Sequence, residues 1–454
     1  MLVVLAVVVV SGVLFGYDQG VISGALNGIK AAFGLGSLLV EVVTSWVTLG
    51  ALVGALVGGD VADRFGRKRT VLVAGALFTL GALLQAFAPD TTLLVAGRLV
   101  VGFGVGVAAV AAPLYGAELA PAAMRGRFVS AYQLAITIGI FLAYLVDAAL
   151  AESGSWRLML GVSVVPGILL MIVAILAPES PRWLLKLGRR ADALGIMQRV
   201  RPGVDAAPRL ASIEASLREE AHNASWSEVF DRTWRRPLVV AIGLAVFQQI
   251  TGINAIIYYA DTIFAAAGFA APQEQTTATT WAIGGVNVLA TFIAIAFIDR
   301  LGRRPLLLAG LIGMGVSLLV VGAAFLSIGA SAANGGPTAA GIITLVALVV
   351  FIISFAFSLG PVVWTVISEI FPGRIRGRAV AVATAVNWGA AFLVSEFFLT
   401  LIEAIGASFT FWLFALFCLL GWLWIYRRVP ETKGRSLEQI EQMWADSEVA
   451  KTRS

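Results

Sequence analysis

Two ionisable residues, Asp18 and Arg98, lie within long apolar stretches and are the first candidates for chemistry. An ionised group costs about 3 kcal/mol at the centre of a membrane helix, so such groups are rare there and usually paired or functional. Desolvation favours the protonated form of a carboxyl group, whereas a nearby guanidinium favours the ionised form. A pair whose separation changed would therefore take up and release a proton. The alternative is a static ion pair that fixes helix packing.

Glycine recurs at every fourth position around Asp18, which predicts a close contact with another helix. The stripe comprises Gly12, Gly16, Gly20, Gly24 and Gly28. Asp18 is about 200° around the helix from Gly16. It is therefore expected to point away from the stripe, toward another helix or a water-filled cavity.

Neutral amides in apolar stretches form the second set of candidates. An amide both donates and accepts hydrogen bonds, which suits a ligand rich in hydroxyl groups better than a charge does. An indole ring can cover the apolar face of such a ligand while its N–H donates. The set comprises Gln133, Gln248, Gln249, Asn254, Asn287 and Asn387, with Trp364 and Trp388. For any one amide, an interhelical packing contact is the alternative. The sequence further predicts helix breaks at Thr251-Gly252 and at Gly360-Pro361.

The composition predicts that membrane-spanning helices position these residues. Of the 454 residues, 59% are hydrophobic and 13% charged, with a mean hydropathy of +0.91. A soluble domain is about half apolar and a quarter charged. Apolar runs of the roughly 20 residues needed to cross a bilayer lie near 2–27, 40–62, 70–88, 91–115, 128–150, 156–177, 237–265, 278–298, 305–328, 341–368, 379–403 and 408–426. An all-α integral membrane protein with twelve transmembrane helices is expected, and a soluble or singly anchored enzyme is excluded.

Cysteine and histidine are too scarce for several kinds of site. The only cysteine is Cys418 and the only histidine is His222. A disulfide framework, a Cys- or His-based metal site and a Ser-His-Asp triad within the membrane are therefore excluded, and no cofactor is predicted. Residues 1–10 lack a basic segment, so the first apolar run is interpreted as a helix, not a signal peptide.

Basic residues indicate the orientation. Twenty-nine of the 32 Lys and Arg fall on alternate loops, hence on one side of the membrane. The positive-inside rule places that side, with both termini, in the cytoplasm. The net charge of +5 therefore reflects topology and not nucleic-acid binding. Abundant Ala, Gly, Val and Arg favour a bacterial source with a GC-rich genome, so an inner membrane is expected.

Three motifs occur twice in the same order, which predicts two pseudo-symmetric bundles of six helices. Asp63-Arg64-Phe65-Gly66-Arg67-Lys68 recurs as Asp299-Arg300-Leu301-Gly302-Arg303-Arg304, Glu118 with Arg125-Gly126-Arg127 as Glu369 with Arg376-Gly377-Arg378, and Pro178-Glu179-Ser180 as Pro430-Glu431-Thr432. The bundles are expected at 1–182 and 237–429, with a cytoplasmic helical linker at 183–236 and a tail at 430–454. Carriers built from such repeats bind their substrate near the midplane between them.

These motifs resemble the sugar porter family of the major facilitator superfamily over essentially the whole chain. The resemblance rests on Gly59-x-x-x-Asp63-Arg64-x-Gly66-Arg67-Lys68, Pro178-Glu179-Ser180-Pro181-Arg182, Gln248-Gln249-Ile250-Thr251-Gly252-Ile253-Asn254, Gly360-Pro361-Val362-Val363-Trp364, Asn387-Trp388 and Pro430-Glu431-Thr432-Lys433-Gly434. It implies the major facilitator fold and a sugar site at Gln133, Gln248, Gln249, Asn254, Asn287, Trp364 and Asn387. Trp388, next to Asn387 in the chain, is expected to form a wall of that site. The family's proton symporters resemble this chain in having Asp at the position of Asp18.

The resemblance implies a proton-coupled monosaccharide symporter, slightly favouring hexoses, that works by alternating access with Asp18 as the proton site. Its partners would be the sugar, the proton and the lipid bilayer, and a monomer is expected. The main alternative is a sugar facilitator without proton coupling. A polyol or drug–proton carrier and a non-transporting sugar sensor are less favoured. No phosphate-binding loop G-x-x-x-x-G-K-[ST] occurs, which disfavours ATP-driven transport.

Charged residues near the cytoplasmic helix ends form a third set. It comprises Arg64, Arg67, Glu118 and Glu179, repeated as Arg300, Arg303, Glu369 and Glu431. Salt bridges between these helix ends, formed when the cytoplasmic side is shut, would favour the outward-open state. Exposed pairs contribute only about 0–1 kcal/mol each, so several would have to act together. Simple positive-inside anchoring is the alternative for the arginines.

Two positions leave questions open. Family members commonly have Asn four residues after Asn387, where this chain has Ala391, and that difference leaves the identity of the sugar open. Glu396 is an acid in an apolar run. It either reaches the outer water layer or is a second titrating group.

Overall fold

The computed structural model describes residues 1–121, 124–200, 205–223, 226–331, 338–371, 373–433 and 439. Regular secondary structure in these ranges is helical throughout. Twelve helical stretches in the described chain are long and apolar enough to cross a membrane, which confirms the predicted fold class. Of the predicted tail 430–454, the structure describes only residues 430–433 and 439.

The helices of the first half and the linker are numbered in chain order. They are α1 (Leu2–Phe33), α2 (Ser37–Phe65), α3 (Arg67–Ala86), α4 (Thr91–Leu119), α5 (Arg125–Leu150), α6 (Trp156–Gly161), α7 (Val164–Leu176), α8 (Pro181–Lys186), α9 (Arg190–Val200), α10 (Ala207–Asn223) and α11 (Trp226–Val229). The sixth span consists of α6 and α7 in succession.

The second half contains more interrupted helices. They are α12 (Arg235–Ile250), α13 (Ile253–Tyr258), α14 (Ala260–Ala266), α15 (Pro272–Ala278), α16 (Val286–Leu301), α17 (Arg303–Ser331), α18 (Ala339–Ala356), α19 (Leu359–Glu369), α20 (Gly373–Glu396), α21 (Phe398–Ile405) and α22 (Ala407–Arg428). A π-helical segment, Thr279–Gly285, joins α15 to α16.

The glycine stripe of α1 brings its backbone against α5. A Cβ atom added at Gly12 would lie 2.7 Å from the Cβ of Ala135, and one at Gly16 would overlap the carbonyl oxygen of Ile136. Real Cβ atoms do not approach other atoms so closely, so only glycine permits this contact. Asp18 faces away from α5 and toward α4, as the helical periodicity predicts.

Two spans of the second half are broken. Thr251 and Gly252 separate α12 from α13 as predicted, with Gly252 at φ 94° in the left-handed region that favours glycine. The tenth span breaks at Phe357-Ser358, not at Gly360-Pro361 as predicted. Pro361 lies in the first turn of α19, where a missing backbone N–H leaves no helical hydrogen bond unmade.

In the described chain, the hydrogen bonds that join the halves lie toward one end of the molecule. The basic end is the end that carries Arg64–Arg69 and Arg300–Arg304, and the far end is the opposite one. Hydrogen bonds between the halves join Gln19 to Tyr258, Ser23 to Asp261, Asn27 to Gln275, Ser37 to Glu403, Glu41 to Thr400, Ser45 to Glu396 and Tyr144 to Ile257. All of these bonds lie between the middle of the helices and the far end.

Replacing Gly16 with alanine should lower the thermal stability of the purified protein in detergent. The new methyl group would force α1 away from α5, and such overpacking typically costs about 1–3 kcal/mol. Thermal unfolding monitored by size-exclusion chromatography measures the effect. Gly59→Ala is the matched control, because a Cβ at Gly59 meets no atom within 4 Å. Equal midpoints for the two variants would show that the α1–α5 contact can relax without loss.

Candidate functional site

Asp18 and Arg98 form an ion pair inside the first half. The Arg98 guanidinium donates to Asp18 Oδ1 at 3.0 Å. Asp18 is 4% exposed and Arg98 is 0% exposed. The two predicted residues are therefore brought together, in a setting from which water is largely excluded and electrostatic interaction is strong.

Arg98 also connects the pair to α2. Its Nε donates to the carbonyl oxygen of Val43 at 3.0 Å, and a terminal nitrogen donates to that of Thr44 at 3.2 Å. One guanidinium thus holds α1, α2 and α4 together. A buried charge must be satisfied by hydrogen bonds. Any change at Asp18 therefore changes how strongly the Arg98 guanidinium depends on its hydrogen bonds to the α2 carbonyl oxygens.

Three of the predicted amides form one hydrogen-bonded group near the centre of the second half. The Asn387 amide donates to Gln248 Oε1 at 2.7 Å, and Gln249 donates to Asn387 Oδ1 at 3.1 Å. Gln248 in turn donates to the carbonyl oxygen of Leu359 at 2.7 Å, beside the break in the tenth span. The group therefore connects α12, α19 and α20, and within the described chain Gln249 Oε1 has no hydrogen-bond partner.

The other predicted ligand residues lie on separate helices. Asn254 on α13 and Asn287 on α16 are buried, while Gln133 on α5 and Trp364 on α19 are half-buried. Hydrogen bonds and ring contacts among the described residues do not join these four to one another or to the amide group. Trp388 on α20 is buried against the ring of Phe15 on α1, with centroids 5.3 Å apart, so it contacts the opposite half.

A network of charged and polar groups fastens the basic end of the first half. Arg67 donates to Glu118 Oε1 through two nitrogens at 2.8 and 3.1 Å. Glu118 also hydrogen-bonds the Ser180 hydroxyl. Glu179 Oε1 accepts the backbone N–H groups of Arg67, Lys68 and Ser180 at 3.0, 3.1 and 2.8 Å. The start of α3, the end of α4 and the start of α8 are thereby joined.

The second half repeats this network residue for residue. Arg303 donates to Glu369 at 3.0 Å, and the Thr432 hydroxyl donates to Glu369 at 2.6 Å. Glu431 accepts the backbone N–H groups of Arg303 and Arg304 at 3.1 and 3.0 Å. Partial burial of Glu431 opposes ionisation, but the backbone N–H donors outweigh it and hold the pKa of the Glu431 carboxyl below its usual value.

These two networks each lie within one half. Six of the eight predicted basic-end residues take part in them, whereas Arg64 and Arg300 are exposed and lie over the rings of Phe65 and Phe297, each 5.5 Å from the centroid. The networks are formed while the halves contact each other at the far end. In this arrangement they fasten helices inside each bundle, and a gating role stays a prediction.

Comparison with known proteins assigns the chain to a family over nearly its whole length. Residues 4–444 match the family described as "Sugar (and other) transporter". The chain belongs to this family. It is 36% identical to the arabinose-proton symporter of Bacillus subtilis strain 168 and 40% identical to the galactose-proton symporter of Escherichia coli strain K12, each over 95% of this chain and 92% of the relative. This transporter is therefore a multi-pass membrane protein and not an enzyme.

A solved structure supports the same family and fold. The partially occluded inward open conformation of the xylose transporter XylE from E. coli superimposes with a TM-score of 0.83 and 30% identity. The match covers 96% of this chain and 99% of XylE. The similarity thus extends to both six-helix halves.

The sequence analysis of this transporter missed several buried polar residues. Gln19, next to Asp18, donates to the Tyr258 hydroxyl of the other half at 3.4 Å. Glu41, Asp147 and Asp261 are 1%, 1% and 2% exposed, respectively. An acid within an apolar run, the signal that identified Asp18, is also present for Asp147 and Asp261.

Replacing Glu431 with glutamine should destabilise the second half by about 1 kcal/mol, because an ionised acceptor at the start of α17 is lost. The stabilisation in the native protein is complete at neutral pH. Since the folded-state pKa lies below the usual 4.5, it fades as the pH falls from that value through the lowered pKa. Thermal unfolding of the variant in detergent between about pH 3.5 and 7 tests this. Glu152→Gln, at an exposed acid, is the control; a variant as stable as the native protein at neutral pH would contradict the assignment.

Proposed function

We propose that this transporter couples the uptake of a monosaccharide, with hexoses as the first candidates, to the inward movement of a proton by alternating access. The observation that carries the proposal is the buried Asp18–Arg98 pair and its attachment to α2. Family membership and the proton symport named for the arabinose and galactose relatives support it. We expect the transporter to lie in an inner membrane with both termini in the cytoplasm, because this orientation places the basic end on the cytoplasmic side.

Asp18 would be the group that binds the transported proton. When Asp18 is ionised, Arg98 neutralises it and both charges stay buried. When Asp18 accepts a proton from the outer side, that charge attraction is lost, and the guanidinium depends on the α2 carbonyls alone. Proton binding thereby changes the interactions that hold α1 and α4 to α2, and α2 is a helix that contacts the other half at the far end.

Sugar would bind beside the amide group of the second half. Gln248 and Asn387 hold each other in fixed orientations, and Gln249 keeps a carbonyl oxygen available for a hydroxyl donor. Gln133 from the first half and Trp364 are only half-buried, as expected of side chains that border an opening. Sugar contact with both halves would stabilise the intermediate in which the halves close around it.

The conformation supports the last part of this cycle. The halves contact each other at the far end, and XylE in an inward open conformation is a close structural match. With the basic end in the cytoplasm, the carrier faces inward. The Asp18–Arg98 contact then corresponds to the state after proton and sugar have been released, in which Arg98 holds the carboxylate while the empty carrier returns.

Replacing Asp18 with asparagine should abolish concentrative sugar uptake in liposomes with an inward proton gradient but spare sugar exchange. The amide cannot titrate, so no proton is moved with the sugar. Uptake of labelled galactose, glucose, arabinose and xylose, with and without a protonophore, provides the measurement. Asp60→Asn, at an exposed acid on α2, is the matched control. Uphill accumulation by the Asp18→Asn variant would reduce the pair to a structural contact and point to another proton site. Equilibrating uptake by the native protein, unaffected by the protonophore, would favour a facilitator.

Replacing Gln249 with alanine should weaken sugar binding about tenfold, because one ligand hydrogen bond and the orientation of Asn387 are lost. Binding of the transported sugar to purified protein, followed by tryptophan fluorescence or calorimetry, measures the change. Gln85→Ala removes another buried amide, on α3. We expect that control to bind sugar as the native protein does; equal weakening in both variants would assign the effect to folding.

A further inference from the structure

Four acidic residues that are at least half-buried lie near the far-end contact between the halves, and none of them binds the sugar or the transported proton in the mechanism above. They are Glu41 on α2, Asp147 on α5, Asp261 on α14 and Glu396 at the end of α20, and are called the far-end acids. Three of them are 1–2% exposed, and Glu396 is half-buried. A fifth acid at this contact, Glu403, hydrogen-bonds Ser37 but is exposed. Glu396 is the acid whose position the sequence left open.

Two of the far-end acids join α2 to the second half. Glu41 accepts the backbone N–H and the hydroxyl of Thr400, both at 2.7 Å. Glu396 hydrogen-bonds the hydroxyl of Ser45, one helical turn along α2 from Glu41. The two carboxyl groups are close enough to interact electrostatically, so both cannot be ionised without repulsion.

The other two lie where α1, α5 and α14 meet. The Asp261 backbone N–H donates to the Ser23 hydroxyl at 3.0 Å, and its carboxyl group hydrogen-bonds Thr279. Asp147 accepts the backbone N–H of Gly24, the next residue of α1, at 3.2 Å. Its second oxygen, Oδ1, is buried without a hydrogen-bond partner among the described residues. Asp147 and Asp261 also interact electrostatically with each other.

No described lysine or arginine forms an ion pair with a far-end acid. Arg98, the guanidinium of this region, is engaged by Asp18 and two carbonyl oxygens, and Arg157 donates to the carbonyl oxygen of Ala88. Lys30 is exposed. The remaining titratable groups that face these acids are the hydroxyls of Tyr17, Tyr144 and Tyr259. Tyrosine is neutral at physiological pH, so it supplies no compensating charge.

A buried carboxylate without a cation is costly, whereas a buried carboxylic acid that is hydrogen-bonded is not. Separation of the halves at the far end would admit water to these groups and allow them to ionise. We propose that the far-end acids form a second proton-binding site, which takes up protons from the outer solution as the far end closes. These protons leave to the same solution when the far end reopens, so they are not transported.

The direction of the pH dependence follows from this difference in bound protons. The closed far end binds more protons than the open one, so acid favours the closed, inward-facing state. For each proton taken up, the closing equilibrium constant rises about tenfold per unit of falling pH. This inference rests on the proposed transport function only for the assignment of the far end to the outer side of the membrane. The site itself requires neither sugar nor Asp18.

Distances between spin labels at the far end test the proposal. Ser153→Cys and Gln273→Cys place labels at exposed positions on the two halves, in a Cys418→Ala background. An added Asp18→Asn substitution removes the transported proton's site. Pulsed electron resonance of purified protein without sugar, between about pH 5 and 8, then gives the ratio of short to long distances. With one proton taken up by each of the two acid pairs, we expect this ratio to rise up to about a hundredfold per unit of falling pH, which is about tenfold per proton.

Two pairs of substitutions assign the effect. Asp147→Asn with Asp261→Asn, and separately Glu41→Gln with Glu396→Gln, should each reduce the pH slope by about half, since each pair holds part of the bound protons. Glu152→Gln, at an exposed acid on the same end, should leave the slope unchanged. If one double variant does not fold, the other decides. A pH-independent ratio in the Asp18→Asn background, or a slope unchanged in the folded pair variants, overturns the proposal. Loss of proton-driven uptake is measured separately and concerns only Asp18.

Discussion

The guanidinium of Arg98 cannot be left unsatisfied inside the protein, and much of the first half is arranged to meet this requirement. Its hydrogen bonds reach a carboxylate on α1 and two carbonyl oxygens on α2. The glycine stripe on the opposite face of α1 holds that helix against α5, which fixes where Asp18 points. The Asp18–Arg98 pair thus connects four helices, α1, α2, α4 and α5.

Much of the fold and part of the site follow from the sequence. Twelve apolar runs require twelve spans, and an Asp and an Arg in such runs must find partners, which is why Asp18 and Arg98 could be paired in advance. The break at Gly252 was also predictable, since few other residues adopt its backbone conformation. The break at Ser358 was not, because a proline in the first turn of a helix looks the same in sequence as one that ends it.

Contacts between the halves could not be predicted from the sequence, for a different reason. Helical periodicity shows which face of a helix is polar but not which distant helix that face meets. Glu41 meets Thr400 and Ser23 meets Asp261 only because two bundles are apposed in one particular conformation. The basic-end networks were predicted as a set of charged residues, yet their confinement to single halves depends on local turns such as that before α3.

The two kinds of contact differ in chemistry. Inside each half, arginine–carboxylate pairs and backbone donors fasten the helix ends, at Arg67 and Glu118 and again at Arg303 and Glu369. Between the halves, the hydrogen bonds join amide, hydroxyl, carboxyl and backbone groups, with no ion pair among the described residues, and water can replace each of these bonds as it breaks. Each half therefore behaves as a rigid unit. The hydrogen bonds between the halves can break and re-form in every transport cycle, while the ion pairs and backbone hydrogen bonds within each half stay intact.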